Sequence, residues 1–325
     1  MVNRGKIVAL SMLVLAFLLG NPAQARAGQE LRYPERTIQI IIPAKAGGDT
    51  DTSARIITKY LEKELGVPVV IVCMPGASGT IGASHVYESE PNGYTVMYLN
   101  PEAFIPKAFG VSELGSEDFS MVCISMFDTT LLFLTRKESP YQTLEALIAA
   151  AKEKPGQIEL PAMMPGGFSY ATALLFEKSL GIDLNLTDIE SNGHKIVQLL
   201  GGKFEIMGNQ YGMVKDYVEK GDFIPLCVMS DERNPLIPDI PTLKELGYDL
   251  GIFVDKYFFF AMPPGTDPAI VAKFSAAVKR TVENPDYIKE ATAFYTTPHY
   301  MDSAEAAAYI KNAEDGYGKL AALMD

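Results

Sequence analysis

Short apolar runs and amphipathic stretches alternate along the chain from residue 37 nearly to the end. Thr37–Ile42 reads as a buried strand, and Thr52–Leu65 as a helix with Ile57, Leu61 and Leu65 on one face. Gly66 and Pro68 stop that helix. Val69–Val72 is a second strand, Thr80–Ser89 a second helix and Thr95–Tyr98 a third strand. This succession predicts a parallel sheet with helices on its faces. The pattern resumes with helices over Leu144–Glu153, Ser169–Leu180, Gly193–Leu200 and Tyr211–Lys220. Strands fall at Leu186–Ile189, Phe204–Met207 and Pro225–Met229. Apolar runs at Ser120–Met126, Leu131–Thr135 and Tyr257–Met262 join the two halves, and a helical part follows from Pro268. The expected architecture is two α/β lobes joined by two crossover segments with a ligand cleft between them. Open α/β sheets bind ligands beyond the carboxyl ends of their strands.

Glycine-rich turns fall at those ends. In "IIIPAKAGGDTDTSARIITKYLEKELG" a Gly pair separates the first strand from its helix, whose unpaired first-turn N–H groups can hold an anion. Asp49, Thr50 or Asp51 reads as the helix N-cap. An EF-hand loop over Asp49-x-Asp51-x-Ser53 is excluded, because its sixth and twelfth positions are Ala54 and Tyr60. The second turn, "MPGASGTIGAS", matches neither the dinucleotide fingerprint nor a P-loop, and leaves Ser78 and Thr80 as caps or donors. In the second half, Gly166 and Gly167 precede a helix that Ser169 can cap. Met163 and Met164 are candidates for a pocket wall or for the core. Ser191, Asn192, Asn209 and Gln210 present hydroxyl and amide groups that face a cleft or simply make turns. Lys45, Asp49 and Asn100 complete the candidate ligand-binding set. Taken alone, each turn reads more readily as a corner; two at the same end of one predicted sheet make binding and turning equal readings.

The start of the chain constrains where it works. Arg4 and Lys6 precede the apolar run Ile7–Leu19, and A-x-A sites end at Ala25 and Ala27. This is a secretory signal peptide over residues 1–27, too short to span a membrane and without a lipid-anchor cysteine. Cleavage is expected to leave an exported, periplasmic protein beginning at Arg26 or Gly28. Cys73, Cys123 and Cys227 sit in apolar, strand-like surroundings and read as small buried hydrophobes, with one disulfide among them left open.

The net charge of −12 becomes −14 once Arg4 and Lys6 leave with a leader cut after Ala25, which argues against nucleic acid as a partner. His85, His194 and His299 are isolated, and no nucleophile elbow, zinc helix or C-x-x-C pair occurs. No catalytic residue, metal or cofactor is therefore assigned.

Several longer stretches resemble one family. "YPERTIQIIIPAKAGGDTDTSAR", "LGVPVVIVCMPGASGTIGA", "PNGYTVMYLN", "TLEALIAAAKEKPGQIEL", "LLGGKFEIM", "PLIPDIPTLKELGY" and "PPGTDPAIVAKF" are similar, in this order, to the substrate-binding proteins of tripartite tricarboxylate transporters, the Bug family. The resemblance implies a type II periplasmic binding protein fold that closes on a small organic anion, usually a carboxylate. It implies delivery to the permease subunits of a tripartite tricarboxylate transporter. Ligand contacts would come from Ala46, Gly47, Gly48 and Asp51 in the first turn and from Ala77, Ser78, Gly79 and Thr80 in the second. Lys45 replaces a usual proline, Asp49 a small residue, and Cys73-Met74 an Asn-Arg pair. In the second lobe the serine-rich turn is Ala162-Met163-Met164-Pro165, the Tyr-Lys-Gly-Gly stretch is Ile189-Glu190-Ser191-Asn192, and a usual Asp is Asn209.

The expected protein is a monomeric receptor with lobe one at 28–126 and 257–325 and lobe two at 127–256, hinged near Phe127 and Tyr257. The alternatives are a receptor for an amino acid or other amine-bearing solute, with Asp49 accepting from the ammonium; a periplasmic enzyme on the same scaffold; and a sensor subunit.

Overall fold

Three parallel strands open the fold. β1 (Ile38–Ile42) lies between β2 (Val69–Cys73) and β3 (Thr95–Leu99), with Ile40 opposite Ile71 on one side and Val96 on the other. The computed structural model describes residues 31–163, 166–189, 191–249, 251 and 255–323. The leader read over residues 1–27, and Met164, Pro165 and Glu190, lie outside them.

Helix α1 (Asp49–Leu65) makes the first crossover and ends as its sequence predicts. Gly66 turns left-handed at φ 70° and its N–H reaches the Glu62 carbonyl. Its start differs from expectation. Gly48 is the N-cap, so Asp49, Thr50 and Asp51 all lie inside the first turn and none of them caps the helix. Helix α2 (Thr80–Tyr87) makes the second crossover.

The sheet is extended by β4 (Ser120–Asp128), β10 (Lys256–Met262) and β11 (Thr297–Met301), in the order β11-β4-β10-β3-β1-β2. β10 runs antiparallel to both β3 and β4, so the sheet is mixed, not wholly parallel. All seven β10 residues are buried, Lys256 among them. Phe259 stacks on Phe104 at 5.3 Å, and Phe258 and Phe260 pack on Tyr98. The short α3 (Ile105–Ala108) and the C-terminal α8 (Pro268–Val282), α9 (Pro285–Ala293) and α10 (Ser303–Ala321) complete this half.

The other half holds β5 (Leu131–Arg136) between β8 (Ile206–Gln210) and β9 (Phe223–Val228), antiparallel to both. A separate parallel pair joins β6 (Glu159–Ala162) to β7 (Asn185–Asp188). Helices α4 (Leu144–Glu153), α5 (Phe168–Leu180), α6 (Asn192–Leu200) and α7 (Tyr211–Glu219) connect these strands. Phe133 of β5 stacks on Phe176 of α5 at 3.8 Å.

β6 and β11 are strands that the apolar pattern does not predict. Each is short and contains a proline, which removes a ladder donor and interrupts the run. Cys73, Cys123 and Cys227 are free thiols, the last two buried. Among the described residues, no helix is long and apolar enough to cross a membrane.

Candidate functional site

Both glycine turns leave parallel strands at the same end of the sheet, and both line one cavity of about 420 Å³. Gly47 adopts φ 80°, open to few residues other than glycine, and its N–H donates to Asp51 Oδ2 at 2.9 Å. Burial raises the Asp51 carboxyl, but hydrogen bonds from Arg55 and Gly47 outweigh it and hold the group below its ordinary value. Asp51 therefore braces the turn from behind and does not line the cavity. Gly47 spends its N–H on that brace, so the N–H groups left for a ligand are those of the first turn of α1, which have no acceptor inside the helix.

The second turn winds left-handed through Gly76, Ala77, Ser78 and Gly79. Ser78 and Gly79 face the cavity. Ala77 points to solvent and Thr80 begins α2; neither lines it. Gly82 holds the two turns together, since a Cβ there would lie 2.8 Å from Pro43 Cβ and 2.9 Å from the Met74 carbonyl. Asn100 is fully buried behind the wall. It donates to Thr50 Oγ1 at 2.9 Å and accepts the Glu102 N–H at 3.0 Å, which ties the end of β3 to α1 and fixes Glu102 at the cavity.

The opposite wall comes from the starts of α5 and α6 and the end of β8. Gly167, not Ser169, is the N-cap of α5, and no side chain caps it. Gly166, at φ 94°, packs near Pro106 and Val111 beside the cavity without lining it. Ser169 Oγ receives the Met163 N–H and Lys195 Nζ, each at 3.3 Å. Ser191 caps α6 through the His194 N–H, and Asn192 follows it on the wall. Asn209 Oδ1 accepts the Gln210 N–H, whereas its buried Nδ2 has no partner.

Four charged side chains that line the cavity are not in the set read from sequence: the exposed Asp188, and Glu102, Lys195 and Lys256. Lys256 Nζ lies 2.5 Å from Asp49 Oδ2, and both side chains are under one-tenth exposed. Burial lowers the Lys256 pKa, but Asp49 and Glu102 outweigh it and keep the ammonium charged. The ammonium that Asp49 receives is thus the chain's own. Burial raises Glu102, against Lys256 and a hydrogen bond from the Phe168 N–H. Lys195 is 2% exposed and donates to the Gly208 carbonyl at 2.9 Å. Lys45 and Ala46 stand exposed on the rim. Among the described residues, no group of His, Cys, Asp and Glu is arranged to hold a metal ion.

The site therefore gathers, around one open cleft, four helix N-termini and two buried ammonium groups, one of them already paired. Such a wall favours an anion.

Comparison with known proteins shows the family and the fold. Residues 53–323 match the family model described as tripartite tricarboxylate transporter family receptor. BugT of Bordetella pertussis is 31% identical over 272 residues, 82% of each chain. MatC of Rhodopseudomonas palustris, solved with bound malate, superposes with a TM-score of 0.79 at 26% identity, over 89% of this chain and 100% of its own. A TctC solute-binding protein from Polaromonas, solved without ligand, superposes with a TM-score of 0.69 at 28% identity, over 89% and 98%.

Proposed function

The chain belongs to the tripartite tricarboxylate transporter receptor family, and from that premise we propose that it captures a small organic carboxylate in the cleft and delivers it to the membrane subunits of such a transporter. The observation that carries this reading is the convergence of the α1, α2, α5 and α6 N-termini on one cavity, with α1, α2 and α5 lacking side-chain caps. Uncapped first turns present N–H donors and positive dipole ends to whatever fills the space. The malate bound by MatC supports the choice of a carboxylate.

Asp49 does not favour an amine ligand, because Lys256 already occupies its carboxylate. Binding and release, not turnover, is the role in keeping with the receptor family. Export to the periplasm and cleavage of the leader after Ala25 or Ala27 belong to the same reading, as does action as a monomer.

Native mass spectrometry of the protein purified from the periplasm tests it. The expected spectrum shows a one-to-one adduct that, after denaturation, is an intact organic acid. Recovery of a reaction product, or of an uncharged or purely cationic solute, would contradict the proposal.

A further inference from the structure

Lys195 is a buried ammonium whose neighbours leave it short of negative charge. It carries three N–H donors, and two are spent on neutral acceptors, the Gly208 carbonyl and Ser169 Oγ. Among the described residues no carboxylate lies within 4 Å of its Nζ. An ammonium held this way costs free energy unless something pairs with it.

The adjoining groups are donors too. Asn209, directly after Gly208, presents a buried Nδ2 with no partner. Ser169 Oγ already accepts twice, so its proton is left to donate. All three residues line the cavity, beside the uncapped first turn of α5.

We propose that Lys195, Asn209 and Ser169 form a donor-only seat for an anionic group of the ligand, with Lys195 Nζ making the charge-assisted bond that sets affinity. This rests on the reading of the cleft as a carboxylate site and adds the residues that select for charge on the second-half wall.

The charged groups around Lys195 are consistent with the seat. Asp49 of α1 is answered by Lys256 of β10 at 2.5 Å. Glu102, on the turn after β3, takes the Phe168 N–H of α5, and burial favours its neutral form. Asp188 of β7 is exposed on the rim. Burial and the Lys256 charge lower Lys195 to about 8, against the pull of Asp49 and Glu102. A bound anion raises that value again, which couples binding to a proton. Affinity is then fully present below pH 8 and falls by up to about tenfold per unit above it, until the ligand-bound lysine titrates.

The test is calorimetry from pH 6 to 9.5 with succinate, malate, adipate and citrate as probes. Wild type is compared with Lys195→Met and Asn209→Asp. For the tightest acid, Lys195→Met should weaken binding about 10- to 100-fold at pH 7 and flatten the alkaline fall in affinity. Asn209→Asp keeps the acceptor for Gln210 and places a carboxylate next to Gly208. It should weaken binding at least tenfold with a melting temperature equal to or above wild type, because it pairs Lys195 internally. If Lys195→Met does not fold, the wild-type pH profile and Asn209→Asp decide the matter. Wild-type affinity in either variant, or an alkaline fall that persists in Lys195→Met, overturns the seat while the carboxylate reading stands. If none of these acids binds wild type at any pH, both the seat and the carboxylate reading fail.

Discussion

Gly47 and Gly48 stand side by side and are glycine for different reasons. Gly47 needs its positive φ to turn an N–H onto Asp51. Gly48 lies at φ −82°, ψ 177°, extended backbone that any residue adopts, and a Cβ there would meet the Lys45 carbonyl at an ordinary 3.5 Å. The remaining reason for glycine at 48 is the cavity it faces. Gly48→Val is expected to fold and export normally and to lose carboxylate binding in calorimetry; undiminished affinity would make this turn a corner only.

Lys45 looks in sequence like the one cation placed to meet an anion. It is exposed on the rim, so Lys45→Ala should cost no more than about 1 kcal/mol, as for other exposed ion pairs. Asp49 presents the reverse case. Its removal leaves Lys256 buried and unpaired, so Asp49→Ala should destabilise the fold by about 3–5 kcal/mol. Asp49→Ala with Lys256→Met should lose less than Asp49→Ala alone. A denaturant series showing simple additivity would mean that the pair is not coupled.

These residues show what was readable. Glycine turns are local chemistry and stand out in any short window. A lysine within a helical pattern, like Lys195, reads as a solvated face, and one at the edge of an apolar run, like Lys256, reads as the strand's boundary. Their burial arises only when distant elements close over them, and no spacing rule reports that.

At the scale of elements, strand and helix order was legible because each crossover carries its own stop and start signals. Gly66 and Pro68 after α1 are the clearest. Less visible was how the first turns are built. Sequence rules look for a side-chain cap, and here α1 and α5 begin on bare glycines at the cavity wall. The strain in the second turn was equally hidden. Ala77 and Ser78 sit at φ 45° and 52°, where an L-residue costs about 1–2 kcal/mol. Ser78→Gly should therefore raise stability by up to about 1 kcal/mol after the entropy glycine loses on folding. A lower denaturation midpoint would show that Ser78 makes a stabilising contact that outweighs the strain.

A second element prediction concerns the end of β4. Asp128 is buried and accepts the Thr130 N–H and hydroxyl, and burial raises its carboxyl to about 6. The folded chain therefore holds this proton more tightly than the unfolded chain, whose aspartate titrates near 4. Asp128 contributes stability that grows as pH falls from about 6 to 4 and is absent at neutral pH. Asp128→Asn keeps the acceptor and should gain about 1–3 kcal/mol at pH 7 while flattening that limb of the stability curve. An unchanged pH profile would contradict the assignment.

For the whole molecule, two halves built on separate sheets and one cleft imply a hinge. β4 and β10 pair across the expected hinge residues, with Phe127 opposite Tyr257 and Asp128 opposite Lys256. Paired strands resist bending, so we propose that a pivot lies just beyond them, at Thr129–Thr130. Small-angle scattering should show a smaller radius of gyration at saturating ligand. An unchanged radius with ligand bound would leave the lobes rigid.

The central claim is that charge on a small acid is what the cleft reads. The most direct measurement is a calorimetric titration of the tightest carboxylate against the same compound with that carboxylate converted to its amide. One-to-one binding of the acid and at least a tenfold loss for the amide are predicted, as expected for charge-assisted hydrogen bonds in a buried site. Equal affinity for acid and amide would show that shape, not charge, fills this cavity, and would contradict the account.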